Sequence, residues 1–360
     1  MKIRTLELVD WRSYQSAEIT FGDGLTAVLG ENGHGKTNLI EAIGWIAGIG
    51  SFRGAPDDAL VRVGASAAIV RATVDTDDGR EQLIEIEIPR VGRNRIQVNR
   101  QRVNRLSDLV GVVQVTVFSP DDLELVKGGP SLRRGWIDTA AGARHPKSVA
   151  LRAEVERVLK QRNALLRSTH GRLDADAAFT LDVWDAKLIE VGERLRSARL
   201  ELLEEMAPIL ARSYDAVAQQ AAMVEANYES SWGHDLADAL AAARDLDVRR
   251  GVTTVGPHRD EIVLSIAGVP ARTHASQGEQ RSLALALRLA ADAVVRIAGV
   301  AEPILLLDDV FSELDPGRAR ALLDALPSGQ RVLTTAVGFP PAATPDQVLR
   351  IHNSTVKVET

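Results

Sequence analysis

Short apolar segments at both ends of the chain predict strands. Residues 25–29 form an apolar run that is followed by glycine, as a buried strand often is. Residues 68–74 and 82–88 alternate between apolar and polar side chains, which predicts an antiparallel pair with one solvated face. Residues 304–307 and 331–335 are apolar segments separated by helical sequence, so they predict a largely parallel, covered sheet.

Helical periodicity begins near residue 146. Apolar residues recur every three or four positions over 148–166, and over 181–202 they follow the 3.5-residue period of supercoiled helices. The polar stretch 167–177 contains a glycine and predicts that the two helices fold back on each other, either against the main domain or as a projecting arm. We therefore predict an α/β core from residues 1–145 and 250–360, with a helical insertion over 146–249 and a long helix over 276–297.

The composition excludes several classes of protein. The fractions of apolar residues (45%) and charged residues (26%) are those of a folded soluble protein. No stretch approaches the roughly 18 uninterrupted apolar residues of a membrane span. The chain has no cysteine, which excludes disulfides, thiolate catalysis and cysteine-bound metals. The first residues lack the pattern of a signal peptide, so we expect a cytoplasmic protein without a membrane partner.

Charge leaves the class of partner open. The net charge of −6 argues weakly against a polyanion, yet residues 89–105 hold six arginines and no acidic residue. This predicted hairpin either presents a solvated face or contacts DNA phosphates, and Arg133 and Arg134 could extend the same surface. The scarcity of aromatic residues in these segments favours duplex-backbone binding over base stacking.

The strongest chemical signal is the segment GENGHGKT over residues 30–37, which matches G-x-x-x-x-G-K-[ST]. It follows an apolar strand and precedes a helical run, which is the context that this motif requires. Backbone N–H groups of such a loop surround phosphate oxygens, Lys36 would reach the β- and γ-phosphates, and the Thr37 hydroxyl would bind magnesium. The alternative is a chance glycine-rich turn between a strand and a helix.

An acidic pair ends the predicted strand 304–307. Its position places Asp308 at the carboxyl edge of the sheet, where open α/β sheets bind their ligands. We expect Asp308 to hold magnesium through water and Asp309 to polarise the attacking water as a general base. The alternative is an acidic pair that merely caps the strand.

The segment ASQGEQR over residues 275–281 opens the long helix. Ser276 and Glu279 have the spacing of a capping box, which is the purely structural interpretation. A capping box does not explain Gly278, because glycine in a helix is about 1 kcal/mol less favourable than alanine. Close approach of a phosphate does explain it, and we expect that phosphate to belong to the nucleotide of a second subunit.

These segments resemble the ABC-type ATPases that include SMC proteins, and the resemblance narrows to the RecF recombination-repair family. RecF-like blocks occur in the family's order from residue 1 to about 325, whereas the tail beyond 337 is uninformative. The blocks cover residues 32–38, 51–53, 118–123, 125–130, 256–260 and 305–310. The resemblance implies an ABC-type ATPase head assembled from both ends of the chain, with an inserted antiparallel, coiled-coil-like helical arm.

The resemblance also implies the roles of particular residues. Lys36 and Asp309 would be catalytic, and Thr37 and Asp308 would bind Mg²⁺, with Gln114 as a weaker metal candidate. Asp309 stands where many ABC ATPases have glutamate, which suggests slow hydrolysis, and Thr334-Thr335-Ala336 offers no histidine as a γ-phosphate sensor. ATP would be bound by Gly30, Glu31, Asn32, Gly33, His34, Gly35, Lys36, Thr37 and Asn38. The signature that contacts the γ-phosphate across a dimer would be Ser276, Gly278 and Gln280, with Asp315 in the following dimer loop.

The function implied by the resemblance is ATP-dependent DNA repair. Such a protein forms a homodimer on ATP, binds duplex DNA at single-strand gap junctions together with RecR and RecO, and helps to load RecA. Weak, DNA-stimulated ATP hydrolysis would switch it off, and it would be cytoplasmic and associated with the nucleoid. DNA contacts are expected from Arg93, Arg95, Arg100, Arg102, Arg133 and Arg134.

Other functions stay open at this level. A transporter ATPase subunit is disfavoured by the 240 residues between Lys36 and Ser276 and by the helical insertion. A small-molecule phosphotransferase would leave the SQGEQ segment unexplained, and an SMC-like structural protein would bind ATP without hydrolysing it. The run His258-Arg259-Asp260 is either a turn braced by a salt bridge or a catalytic element.

Overall fold

The computed structural model of the chain describes residues 1–104, 106–109, 112–299 and 302–359. The strands of this part are β1 (Lys2–Trp11), β2 (Tyr14–Thr20), β3 (Leu25–Leu29), β4 (Ala67–Asp75), β5 (Glu81–Pro89), β6 (Arg95–Val98), β7 (Gln101–Val103), β8 (Val115–Phe118), β9 (Val224–Glu229), β10 (Glu261–Ile266), β11 (Val269–Pro270), β12 (Ile304–Asp308), β13 (Arg331–Thr335), β14 (Gln347–His352) and β15 (Thr355–Glu359). The helices are α1 (Lys36–Ile46), α2 (Leu123–Lys127), α3 (Pro130–Arg144), α4 (Pro146–Ser168), α5 (Ala175–Ala218), α6 (Leu236–Arg250), α7 (Ala271–His274), α8 (Gln277–Ile297) and α9 (Pro316–Ala325).

The chain divides into two compact units. The head consists of Met1–Asp122, Ser213–Ala221 and Arg281–Thr360, and the insertion unit consists of Leu123–Arg212 and Ala222–Gln280. These boundaries differ from those expected at 145 and 250, because α3 packs against α4 and against β10 and so belongs with the helical insertion. The buried Arg133 of α3 forms an ion pair with Glu261 of β10 at 2.8 Å, which holds these elements in one unit.

A six-stranded sheet in the head carries the ligand-binding edge. Its strand order is β15-β14-β3-β13-β12-β8, and the pairs from β14 to β8 are all parallel. The predicted parallel sheet is therefore confirmed. Side chains of α8, α9 and the end of α5 cover one face of it, where Leu305 and Leu307 pack against Leu289 and Leu322.

A second, antiparallel sheet in the head has the order β2-β1-β4-β5-β6-β7. The predicted pairing of 68–74 with 82–88 is confirmed by the register of β4 and β5, with Ala72 opposite Ile84. Apolar residues of α1, such as Leu39 and Ile43, share one core with the inner faces of both sheets. The helix that follows the phosphate loop, α1, is thus enclosed between the two sheets of the head.

The insertion unit contains the predicted helical hairpin. Two ion pairs show that α4 and α5 run antiparallel: Glu154 pairs with Lys187, and Arg162 pairs with Asp185. The residue number thus rises along α4 as it falls along α5. The pair is not isolated, since Leu236 of α6 joins the same core. The unit also holds the small antiparallel sheet β11-β10-β9. Within the described part of the chain, no helix is both long and apolar enough to cross a membrane.

Candidate nucleotide-binding site

The functional residues predicted in the phosphate loop and the acidic pair meet at the carboxyl edge of the parallel sheet. β3 leads into the loop 30–35, and β12 ends at Asp308. β13 lies between these two strands and joins them, because Gly30 donates its N–H to the carbonyl of Thr335 at 3.3 Å and Asp309 donates to the carbonyl of Thr334 at 3.2 Å. Segments about 270 residues apart in sequence are thereby brought to one edge.

The loop conformation requires glycine at several positions for different reasons. Gly33 and Gly35 have φ angles of 83° and 109°, in the left-handed region that favours glycine. At Gly30 the reason is packing, because a β-carbon would lie 2.5 Å from the carbonyl oxygen of Ile351 in the adjacent β14. The loop is therefore shaped by the neighbouring strand as well as by the needs of a phosphate.

Lys36 is positioned inside the loop. Its Nζ donates to the carbonyl oxygens of Gly30 at 2.7 Å and Glu31 at 3.0 Å, and the side chain is buried. Burial lowers the pKa of Lys36, while the carboxylates of Asp309 and Asp308 raise it and favour the charged form. The ammonium group thus needs only to exchange backbone carbonyls for phosphate oxygens, which are stronger, charged acceptors.

Asp308 and Thr37, the predicted Mg²⁺ ligands, are in contact. The Thr37 hydroxyl donates to Asp308 Oδ1 at 3.1 Å, and the Thr334 hydroxyl donates to the same oxygen at 2.7 Å. No group of three or more His, Asp or Glu side chains suited to a metal occurs among the described residues. One carboxylate and one hydroxyl suit Mg²⁺, since this ion usually takes few protein ligands and completes its shell with waters and phosphate oxygens.

Burial raises the pKa of Asp308, and repulsion from Asp309 adds to the rise, whereas the hydroxyls of Thr334 and Thr37 and the charge of Arg53 oppose it. Arg53 lies in a segment that a buried network anchors. Glu41 of α1 accepts two bonds from Arg12, each of 2.7 Å, and a third from Ser51. The 51–53 block thus supplies a positive charge that acts on Asp308.

We expect Asp308→Asn to stabilise the nucleotide-free protein while removing its response to Mg²⁺ and ATP. A carboxyl whose pKa is raised on folding favours the folded state at low pH, and this contribution is lost as the pH rises through the folded pKa. The substitution should therefore raise the free energy of unfolding by about 1 kcal/mol at pH 7, with a difference that shrinks toward pH 4. Thermal unfolding at several pH values, with and without MgATP, measures both effects; a nucleotide-free variant less stable than the parent at pH 7 would contradict the prediction.

The backbone of Asp309 is fixed by Thr334, while one of its carboxylate oxygens is available to act as a base. Its φ angle of 51° is left-handed, and its N–H donates to both the carbonyl and the hydroxyl of Thr334, the latter at 3.0 Å. Among the described residues, its buried Oδ1 has no hydrogen-bond partner. A buried carboxylate oxygen without a donor can accept a proton from water, which agrees with the predicted role in hydrolysis.

The turn between β1 and β2 holds the phosphate loop, a role that the sequence did not reveal. Tyr14 donates its hydroxyl to the carbonyl of Gly35 at 2.9 Å, and the Trp11 indole donates to the carbonyl of Asn38 at 2.8 Å. The Asn38 amide in turn donates to the Ser13 hydroxyl at 2.9 Å. The only local signal was a cluster of hydrogen-bonding side chains at the turn between two strands in which apolar and polar residues alternate.

The C-terminal hairpin β14–β15 also contacts the loop, although the tail lacked an informative motif. β14 pairs in parallel with β3, so its end reaches the same edge of the sheet. Ser354 donates its N–H to the carbonyl of His34 at 3.1 Å. The rings of His34 and His352 meet edge to face, with their centroids 4.8 Å apart. The structure therefore places a histidine, His352, beside the phosphate loop.

Gln114 lies at the wrong edge of the sheet to bind the metal. It precedes β8, and its carbonyl accepts a hydrogen bond from Ile304 at the start of β12, at 2.9 Å. Asp308 lies four residues further along β12, about 13 Å away at the usual rise of a strand. The weaker assignment of Gln114 as a metal ligand is corrected. Because β8 and β12 are parallel, the residue before β8 lies at the amino edge of the sheet, whereas Asp308 lies at the carboxyl edge.

The proposed signature residues have different surroundings. Ser276 is exposed, and the capping box is present, since Ser276 and Glu279 exchange hydrogen bonds of 2.7 and 3.3 Å. Gly278 is half-buried next to it. Gln280 is buried, and its amide donates to the carbonyls of Ala271 and Arg272 at 3.0 and 3.1 Å. The prediction of a γ-phosphate contact by the Gln280 side chain is corrected, because helical periodicity turns it inward.

Asp315 caps α9. Its carboxylate accepts from the N–H of Arg318 at 3.0 Å, and this bond lowers the pKa of Asp315. The side chain is exposed, and its second carboxylate oxygen, Oδ2, lies 3.6 Å from the guanidinium of Arg318. The cap and this ion pair both tie Asp315 to the first turn of α9.

Four of the predicted DNA-contacting arginines are exposed, namely Arg93, Arg95, Arg100 and Arg102. The predicted hairpin is β6–β7, and Arg95 pairs with Glu87 of the neighbouring β5 at 3.0 Å. Arg105, at the end of the arginine-rich segment, lies outside the described residues. The hairpin thus presents cations on the antiparallel sheet of the head.

Arg133 does not belong to a DNA-binding surface. Its guanidinium is buried, binds Glu261 through two hydrogen bonds of 2.8 Å, and donates to the carbonyls of Leu125 and Gly128. The prediction is corrected because this arginine holds the insertion unit together. Arg134, its neighbour on α3, is half-buried and donates to the carbonyl of Asp260 at 2.6 Å.

The His258-Arg259-Asp260 run forms a turn, in which Arg259 donates its N–H to the carbonyl of Gly256 at 2.8 Å. The turn is braced differently from the expected salt bridge. Asp260 is buried and accepts hydrogen bonds from the Tyr228 hydroxyl and from the N–H of Ser231. Its side chain is thus fixed within the insertion unit.

Known proteins resemble the chain over nearly its whole length. A family model described as the RecF/RecN/SMC N terminal domain matches residues 2–351. The DNA replication and repair protein RecF of Frankia alni is 44% identical over 354 residues, and that of Streptomyces avermitilis is 42% identical over 351 residues; each comparison covers 93% of both chains. A solved structure of the recombination mediator protein RecF with ATP has a TM-score of 0.92 and 28% identity, covering 99% of this chain and 97% of that one.

Proposed function

The chain belongs to the RecF family of DNA replication and repair proteins, and we propose that it is an ATP-gated clamp on duplex DNA. Two copies enclose two ATP molecules, so that the phosphate loop of one copy faces the Ser276 helix start of the other. Closure forms a basic surface that holds duplex DNA next to a single-strand gap. Hydrolysis removes the γ-phosphate contacts and opens the clamp, since only differential contacts can shift such an equilibrium.

One observation carries this proposal. Lys36, Thr37 and Asp308 converge at one sheet edge, with Asp309 beside them carrying a carboxylate oxygen that has no described partner. Mg²⁺ would be held by Thr37 and Asp308 and would neutralise charge on the phosphates when bound. Asp309 would accept the proton of the attacking water, and its short side chain would make the reaction slow. The Ser276 hydroxyl is exposed and accepts a hydrogen bond from the N–H of Glu279, so its own proton is still available to a phosphate oxygen of the other copy.

The proposed partners follow from the relatives and from charge. The solved relative is described as a recombination mediator of the RecFOR pathway. We extend this to the present chain as cooperation with RecR and RecO at gapped DNA, which helps to load RecA. The exposed arginines of β6–β7 supply sequence-independent phosphate contacts, as duplex binding requires.

The solution mass tests the proposal directly. Light scattering without nucleotide, with ADP and with ATP plus magnesium should show a dimer only with ATP. DNA affinity should follow the same order of nucleotide states. A monomer under all three conditions would exclude the clamp and favour a phosphotransferase, which would then transfer phosphate to a metabolite as a monomer.

Replacing Arg93, Arg100 and Arg102 together with glutamine should weaken duplex binding and its dependence on salt. Log affinity falls as log salt rises, and each lost phosphate contact makes this negative slope shallower by about 0.9. The sequence preference should stay unchanged, because backbone contacts carry none. Fluorescence anisotropy across a salt series measures the slope. The matched control replaces the exposed Arg80, Arg194 and Arg320, which removes the same charge elsewhere; an equal loss in both variants would show a net-charge effect and not a binding surface.

A further inference from the structure

The insertion unit contains a cavity lined by charged side chains. Its volume is about 210 Å³, and it is lined by α3, α4, α5 and the turn that carries His258. The charged and titratable side chains that line it are Arg134, Asp138, Arg152, Glu156, Arg199 and His258. A cavity of this size is too small for a nucleotide and suits a small ion with its waters.

Of the three arginines that line the cavity, Arg134 is the one that forms no ion pair among the described residues. Asp138 accepts two hydrogen bonds from Arg199, of 2.8 and 2.9 Å, and Glu156 pairs with Arg152 at 3.0 Å. Arg134 has no carboxylate within 4.0 Å among the described residues, and its one hydrogen bond there goes to a neutral carbonyl. Burial lowers the pKa of Arg134 and the nearby Arg199 lowers it further, whereas the charges of Glu261, Asp260 and Asp138 raise it. A half-buried guanidinium beside a second one is a strong anion attractor.

His258 adds a second polar group with spare capacity. Its Nε2 lies 3.1 Å from the carbonyl of Thr253, which assigns the proton to that nitrogen. Its Nδ1 is buried and has no partner among the described residues. Burial lowers the pKa of His258, and the charges of Arg259 and Arg134 add to this. An anion in the cavity would act in the opposite direction and favour the imidazolium form, in which Nδ1–H becomes a donor.

The arrangement of donors selects a tetrahedral oxyanion. Arg134 and Ser131 lie one turn apart on α3, and His258 approaches from the turn before β10. The N–H of Ser131 has no acceptor within its own helix, because it belongs to the first turn. A phosphate with three or four free oxygens can use all of them, whereas a carboxylate has two oxygens. An internal DNA phosphate has only two non-bridging oxygens, so it offers these donors fewer acceptors than a terminal or free phosphate does.

We propose that this cavity binds a phosphate group, either free orthophosphate or the terminal phosphate of a DNA strand. The DNA form rests on the proposed function, since it would let the protein recognise the phosphorylated strand end at a gap. The free form does not depend on DNA binding.

The first experiment is a calorimetric titration of the full chain with orthophosphate, in the presence of excess ADP to occupy the phosphate loop. The unmodified protein should bind, Arg134→Gln should weaken binding at least 10-fold, and Arg134→Lys should restore part of it. Arg172→Gln, at an exposed arginine in the same unit, is the matched control. Thermal unfolding verifies that each variant is folded.

The second experiment compares gapped duplexes that carry a 5′-phosphate or a 5′-hydroxyl at the gap edge. A preference for the phosphate that disappears in Arg134→Gln identifies the DNA end as the source, and orthophosphate binding without this preference identifies free phosphate. Absence of both, or binding that Arg134→Gln leaves unchanged, overturns the proposal. Failure of the proposed clamp function would give a different result, namely a DNA affinity that does not change when ATP is added.

Discussion

Ser276→Arg is expected to abolish the ATP-dependent dimer and with it the ATP-dependent gain in DNA affinity. The exposed Ser276 stands at the start of α8, where its hydroxyl and the helix N-terminus would meet the γ-phosphate of the other copy. An arginine there is too large for close approach between the two copies. Light scattering with ATP and magnesium should show a monomer, while ATP binding to each separate copy stays within a few-fold of normal.

Two controls separate this effect from loss of the helix cap. Ser276→Asp retains an N-cap, since aspartate serves that position as well as serine, but its charge repels a phosphate. It should therefore also stay monomeric with ATP while unfolding at a normal temperature. Ser168→Arg places the same bulk on an exposed serine at the end of α4 and should dimerise normally. A dimer formed by Ser276→Asp would contradict the contact across the interface.

Asp309→Asn is expected to lower the rate of ATP hydrolysis by about 10²–10⁴-fold, the usual contribution of a general base. Asparagine keeps the size of the side chain and tolerates the left-handed φ of 51°, so the fold and the ATP affinity should be preserved. The ATP dimer should consequently live longer on DNA. Single-turnover phosphate release, with protein in excess over ATP, measures the chemical step without product release.

Asp324→Asn is the matched control for this experiment, because Asp324 is an exposed aspartate of the same unit. It should release phosphate at the normal rate. If Asp309→Asn also released phosphate at that rate, the base would have to be another group. Release stimulated by DNA and lost in Asp309→Asn would exclude a structural protein that binds ATP without turnover.

The sequence alone determined the parts of this protein that depend on neighbouring residues. The loop at 30–37, the strand that ends at Asp308 and the capping box at Ser276 each follow from local spacing, because turn geometry and helix starts are set within a few residues. The alternation in 68–74 and 82–88 likewise implied their pairing.

Only the tertiary structure decided which local elements meet and which way long side chains point. Gln114 was assigned to the metal although its strand begins at the opposite edge, and Arg133 and Gln280 were assigned to partners although both side chains are buried within the insertion unit. The contacts of Tyr14 and Ser354 with the phosphate loop were not visible in the sequence. They depend on the order of strands in two sheets, which joins residues far apart in the chain, and periodicity along one segment carries no information about that order.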